Sequence, residues 1–216
     1  MRCVSMFSGG AGSWAATKRA VAKYGAENVT LLFADTLKED ADLYRFLPES
    51  AAEMGVELVT VADGRTPFQL FRDRRFLGNN RVPTCSKWLK IVPCEKWMKE
   101  NRDSGDTTIV VGIDWSEIHR LSAIETNWSP FQVWAPMTEK PYMSKTEVVS
   151  WMRECGVTPP RGYSEGFPHN NCLAQGCVRG GKRTGGKCCL RDRTCTARRS
   201  VKNRSSRRGL AKTFPS

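Results

Sequence analysis

The chain has 216 residues, 40% of them hydrophobic, and a formal net charge of +12 at pH 7. That length suits one domain with a sizeable core, and no apolar run reaches the length of a membrane span. A uniformly basic nucleic-acid-binding domain is excluded by where the charge sits. Of the 34 Lys plus Arg and 22 Asp plus Glu, residues 178–216 hold 13 and one, so residues 1–177 carry 21 of each.

Taken in chain order, Arg2 to Phe7 reads as a short buried strand ending in a Ser-Gly-Gly turn. Gly9, Gly10 and Gly12 interrupt it too early for a signal peptide, which points to the cytoplasm. Ser13 is the expected helix N-cap, with helix from Trp14 to Tyr24. Val29 to Ala34 is continuously apolar, as in a strand covered on both faces. Asp40 to Met54 reads as a helix and Val56 to Val61 as a third strand. Pro67 opens a helix reaching about Phe76. Ser86 to Glu100 is a further helix, kinked or restarted at Pro93. Thr107 to Ile113 is a fourth strand, and Gln132 to Ala135 a short fifth. Ser144 with Glu147 forms a capping box for a helix to about Glu154.

Strands alternating with helices predict a Rossmann-like, doubly wound α/β fold: a mostly parallel sheet of about five strands with helices on both faces. Ligands in such sheets sit beyond the carboxyl ends of the strands. That edge receives Ser8 to Ser13, Asp35 to Glu39 and Asp114 to Arg120.

Ser8-Gly9-Gly10-Ala11-Gly12-Ser13 follows a strand and opens a helix, where glycines let backbone N–H groups approach a phosphate. Its spacing matches neither a dinucleotide fingerprint nor a Walker loop. It resembles the S-G-G-x-x-S pyrophosphate loop (PP-loop) of the adenine nucleotide alpha-hydrolase superfamily. Phe33-Ala34-Asp35-Thr36-Leu37-Lys38-Glu39 resembles that superfamily's F-A-D-T-G-x-E segment, and Gly112-Ile113-Asp114-Trp115-Ser116-Glu117 its G-x-R-x-x-E segment. Over about residues 1–180 the chain looks most like the phosphoadenosine phosphosulfate reductase family, in the form found in phage-encoded members.

The resemblance implies an adenine-nucleotide enzyme. Its substrate would be ATP or phosphoadenosine phosphosulfate, with Mg²⁺ in the ATP case and a thiol reductant such as thioredoxin in the other. Ser8, Gly9, Gly10, Ala11, Gly12, Ser13, Asp35, Thr36, Gly112, Glu117 and Arg120 are the implied nucleotide contacts. Many members carry Lys-Asp where this chain has Ala11-Gly12, and arginine where it has Asp114. Arg120, Lys87, Lys90 and Arg81 are the bases available to substitute. An inactive nucleotide-binding remnant is the reading if binding occurs without turnover.

Nine cysteines in a cytoplasmic chain suggest thiols or metal ligands before disulfides. Thr84-Cys85-Ser86-Lys87 to Pro93 resembles the family's C-C-x-x-R-K-V-x-P segment, with Ser86 for its second cysteine. Cys172 and Cys177 form a later C-x4-C pair. Cys85, Cys172 and Cys177 thus match a split pattern for a 4Fe–4S cluster, which normally takes four thiolates. His169, Cys94 or a non-protein ligand would complete it, and zinc is the competing metal. Glu154-Cys155-Gly156 looks like the reductase's nucleophile signature but lacks its histidine. Gly156 reads more simply as a helix C-cap, leaving the catalytic residue unknown.

Residues 1–181 form the expected domain. Residues 182–216 lack glutamate, gain Cys188, Cys189 and Cys195, and lose apolar periodicity. They read as a disordered basic tail, the one segment suited to nucleic acid. They are also compatible with translation out of frame: shifted codons from Lys182 onward can encode Q-A-Y-W-R-K-M-L-L-E, an amphipathic helical pattern.

Overall fold

A computed structural model describes residues 1–77, 82–167, Asn170 and Cys177. The boundary expected at 181 and the basic tail lie outside the described residues. Five strands form one parallel sheet: β1 (Arg2–Met6), β2 (Val29–Asp35), β3 (Glu57–Ala62), β4 (Thr107–Val110) and β5 (Gln132–Trp134), in the order β3-β2-β1-β4-β5. The helices are α1 (Ala11–Tyr24), α2 (Ala41–Met54), α3 (Pro67–Asp73), α4 (Val92–Asn101), α5 (Leu121–Trp128), α6 (Lys145–Glu154) and α7 (Arg161–Ser164).

The alternation of side chains along a strand sorts the core into two layers. Cys3, Leu31, Phe33 and Val110 face one side and pack with Trp14 of α1, Phe46 of α2 and Met152 of α6. Val4, Leu32 and Ile109 face the other and pack with Cys94 and Met98 of α4, flanked by Ile124 of α5. Both faces of the sheet are therefore covered, which is why β2 reads as an unbroken apolar run. Each fully buried aliphatic or aromatic side chain contributes roughly 1.5–3 kcal/mol. No helix among the described residues is long and apolar enough to cross a membrane.

The expected elements appear with shifted ends, and two differ in kind. Helix α1 begins at Ala11 with Gly10 as its N-cap, so Ser13 is not the cap but the third helical residue. Its Oγ accepts from Gly10 N–H (3.2 Å) and donates to the Gly10 carbonyl (2.9 Å), closing the first turn from within. The expected helix from Ser86 splits into a π-helical turn, Ser86–Ile91, and α4, with Pro93 in the first turn of α4. Proline has no N–H for the helical ladder, and an early turn is where its absence costs least.

Because β1 lies between β2 and β4, the chain leaves β1 in one direction and returns from β3 across it to β4. This switch point opens a crevice between the ends of β1 and β4, the position where doubly wound folds bind ligands.

Candidate functional site

Three glycines of the turn after β1 do three different things. Gly9 has φ +68°, and a Cβ there would lie 2.0 Å from Leu43 Cδ1. Gly12 meets the turn after β4: a Cβ on Gly12 would lie 2.4 Å from the Gly112 carbonyl oxygen, and one on Gly112 2.4 Å from Ser13 N. The two glycines thus let the walls of the crevice touch backbone to backbone. Gly10 alone has room. A Cβ there would stand 3.5 Å from both Ser8 Oγ and Tyr163 Oη, in ordinary contact. Ser8 Oγ in turn donates to Ser13 Oγ (3.3 Å).

After β2, Asp35 Oδ1 accepts from Leu37 N–H (2.7 Å) and Tyr44 Oη–H (2.8 Å). Thr36 Oγ1 donates to Glu39 Oε1 (2.9 Å), whose carboxylate is fully buried and also takes Lys90 Nζ (3.0 Å). After β4, Asp114 Oδ1 accepts from Ser116 N–H (2.9 Å) and Ser116 Oγ–H (2.5 Å), and Arg120 is ion-paired to Glu117.

The structure therefore brings the three predicted segments together along one edge, but it does not bring their bases unpaired to the glycine turn. Lys90 and Arg120 each meet an acid. Lys87 lies over the Trp88 ring (5.6 Å), and Arg81 is outside the described residues. Among the described residues, the atoms nearest a Cβ on Gly10 would be the hydroxyl oxygens of Ser8 and Tyr163.

The segment after α6 supplies contacts the sequence reading missed. Arg161 N–H donates to Asp42 Oδ2 (2.7 Å), and the Arg161 guanidinium pairs with buried Asp40 (2.7 Å). Ala11 N–H donates to Tyr163 Oη (2.7 Å), and Asn170 Nδ2 donates to the Gly9 carbonyl (2.9 Å). Arg161 thus holds the start of α2, while Tyr163 and Asn170 hold the glycine turn. Burial pushes the Tyr163 phenol above its ordinary pKa, and the Ala11 N–H bond opposes this, so the phenol is neutral at pH 7. No spacing in the sequence announces a tyrosine in a four-residue helix as a neighbour of residue 11.

Among the cysteines, Cys94 is buried in the core, and burial pushes its thiol up to about 12. Cys85 stands half-buried at the head of the π-helical turn. Burial raises its thiol first, and Cys177 lies near enough to add to the rise. Cys172 and His169 lie outside the described residues. Among the described residues no group of three His, Cys, Asp or Glu is arranged to hold a metal. Cys155 ends α6, and Gly156 follows at φ +77°, the helix-terminating glycine read from the sequence.

An all-parallel five-stranded sheet, covered on both faces and carrying a glycine turn at its switch point, defines a Rossmann-like α/β protein. Compared as a fold, the chain is similar to phosphoadenylyl-sulfate (PAPS) reductase from Candida auris, solved as a phosphate complex. The TM-score is 0.53 at 14% identity, over 77% of this chain and 79% of that one. Compared by sequence, it matches no protein-family model and no curated protein.

Proposed function

We propose that the chain is an adenine-nucleotide-binding enzyme of the PAPS reductase type. The Ser8–Ser13 turn would hold the phosphates, and Asp35 and Thr36 would border the nucleoside. One observation carries the reading. The glycine turn stands at the switch point of a fold similar to a PAPS reductase, with the turns after β2 and β4 flanking it. The first turn of α1 adds backbone donors and the positive end of the helix dipole.

Sulfonucleotide reduction needs a cysteine thiolate to attack sulfur, with a dithiol reductant of the thioredoxin class to complete the cycle. A specific observation favours a second reading. Three of the described cysteines, Cys3, Cys85 and Cys94, have thiols raised by burial, the opposite of an activated nucleophile. Cleavage of ATP between its α and β phosphates, with Mg²⁺, needs no thiol and would use the same turn.

The test is anaerobic purification with an iron assay, followed by mass spectrometry of products formed from ATP and from phosphoadenosine phosphosulfate. Sulfite and adenosine bisphosphate identify the reductase. Pyrophosphate with AMP, or with an adenylated acceptor, identifies the second reading. Binding of neither nucleotide, by thermal shift, removes both.

A further inference from the structure

Tyr163, which the sequence reading did not single out, bonds directly to the start of α1 beside the glycine turn. Its phenol oxygen accepts the N–H of Ala11, the first residue of α1. A hydroxyl oxygen that accepts one bond still has a proton to donate. No acceptor for that proton is present among the described residues.

The geometry shows where the proton is useful. The space above Gly10 is bounded by Ser8 Oγ and Tyr163 Oη at equal distances, 3.5 Å from the point a Cβ would occupy. A Cβ fits there in ordinary contact, whereas the corresponding positions at Gly9 and Gly12 are filled by Leu43 and by the Gly112 carbonyl. Two of the bases expected near it, Lys90 and Arg120, are paired with Glu39 and Glu117.

The phenol is held from several sides. Arg161, two residues earlier, is fastened to Asp40 and Asp42. Arg45 Nη2 donates to the Thr158 carbonyl (3.2 Å), and Asn170 is bonded to Gly9. A group so fixed serves as a preorganised donor, and displacing it would break this set of bonds.

We propose that Tyr163 is a phosphate-binding residue. It takes the Ala11 N–H and donates its own proton to a phosphate oxygen over Gly10, supplying as a neutral hydroxyl what a charged loop residue would supply as a cation. The proposal rests on the reading of the glycine turn as a nucleotide site. The contribution of the phenol falls on the phosphates and not on the adenosine.

The test is calorimetric titration of the full chain with ATP, inorganic pyrophosphate and adenosine. Tyr163→Phe keeps the ring and removes only the hydroxyl. A hydrogen bond to a charged group is worth enough for about a ten- to hundredfold loss of ATP and pyrophosphate affinity, with adenosine unchanged. Equal affinity for pyrophosphate overturns the proposal. Tighter binding also overturns it, because the phenol would then be a competitor for the Ala11 N–H. Wild-type protein that binds neither ATP nor pyrophosphate overturns the underlying site itself, a result that does not resemble either of the others.

A second variant guards against misfolding. Placing 3,5-difluorotyrosine at 163 keeps the ring's shape and makes the phenol more acidic. Pyrophosphate affinity should then fall at lower pH than in the wild type, as the donor proton is lost. Superimposable pH profiles would overturn the proposal.

Discussion

Two neighbouring turns at the carboxyl edge of the sheet each pass through the left-handed region of backbone space, and they do so with different residues. After β1 the residue is Gly9, at φ +68°; after β2 it is Leu37, at φ +55°. A left-handed conformation costs a non-glycine residue roughly 1–2 kcal/mol, so Leu37 is the one that calls for an explanation. Its side chain is 44% exposed, and its N–H is held by the Asp35 carboxylate. Gly9 has no such latitude, since Leu43 fills the place of its side chain. Space dictates the residue in the first turn, while a local hydrogen bond dictates the conformation in the second. The family segment resembled by Phe33–Glu39 has glycine where Leu37 stands, so the second turn is also where this chain departs from the pattern.

The largest expected effect follows from the filled space. Gly9→Ala combines left-handed strain with overpacking against Leu43, and should destabilise the fold by about 2–5 kcal/mol in urea unfolding. A loss below about 1 kcal/mol would mean that Leu43 yields easily and that space does not set the residue.

Gly10→Val comes next, because it fills the one open position. It should cost only about 1 kcal/mol as a poorer N-cap. It should also remove the stabilisation by nucleotide, which is about 2.7 kcal/mol at a hundredfold excess over Kd. A thermal shift equal to the wild type's would place the ligand elsewhere.

Leu37→Gly tests the other turn. Relief of strain outweighs the added freedom of the unfolded chain, for a gain of up to about 1 kcal/mol. A lower melting temperature would show that the Leu37 side chain contributes packing that outweighs its strain.

The smallest effect concerns acid. Arg45, bonded to Asp42, is the main cause holding the Asp42 carboxyl below its ordinary pKa of about 3.9. A carboxyl depressed in the folded state contributes stability that is complete above that value and lost as pH falls through the folded one. The pair is partly exposed, so Asp42→Asn should cost less than about 1 kcal/mol at pH 7 and nothing near pH 2. A cost that persists at pH 2 would assign Asp42 a role other than its charge.

The parts of the fold that depend on pattern were readable from the sequence, and those that depend on distant partners were not. The apolar run of β2, the Ser144–Glu147 capping box and Pro67 at the head of α3 carry their signals locally, and each appears where expected. The N-cap of α1 was misplaced because Ser13 is a good capping residue by type. Its hydroxyl reaches back to Gly10 from inside the helix instead. Helix α5 carries neither a side-chain cap nor an acid in its first turn, and was not anticipated. At the site, the three turns were visible because each follows a strand with glycines or acids in a known pattern. The ion pairs that occupy Lys90 and Arg120 were not, and Tyr163 meets Ala11 across 152 positions.

The pairing of Lys90 with Glu39 and of Arg120 with Glu117 has a kinetic consequence for any anion that enters the crevice. Long-range attraction decays within a Debye length, about 10 Å at 0.1 M salt, and paired charges project little field even that far. These two pairs would then add little to the rate of capture or to its response to ionic strength. Selectivity would be expressed after arrival, in how long the hydroxyl-lined turn retains what has reached it.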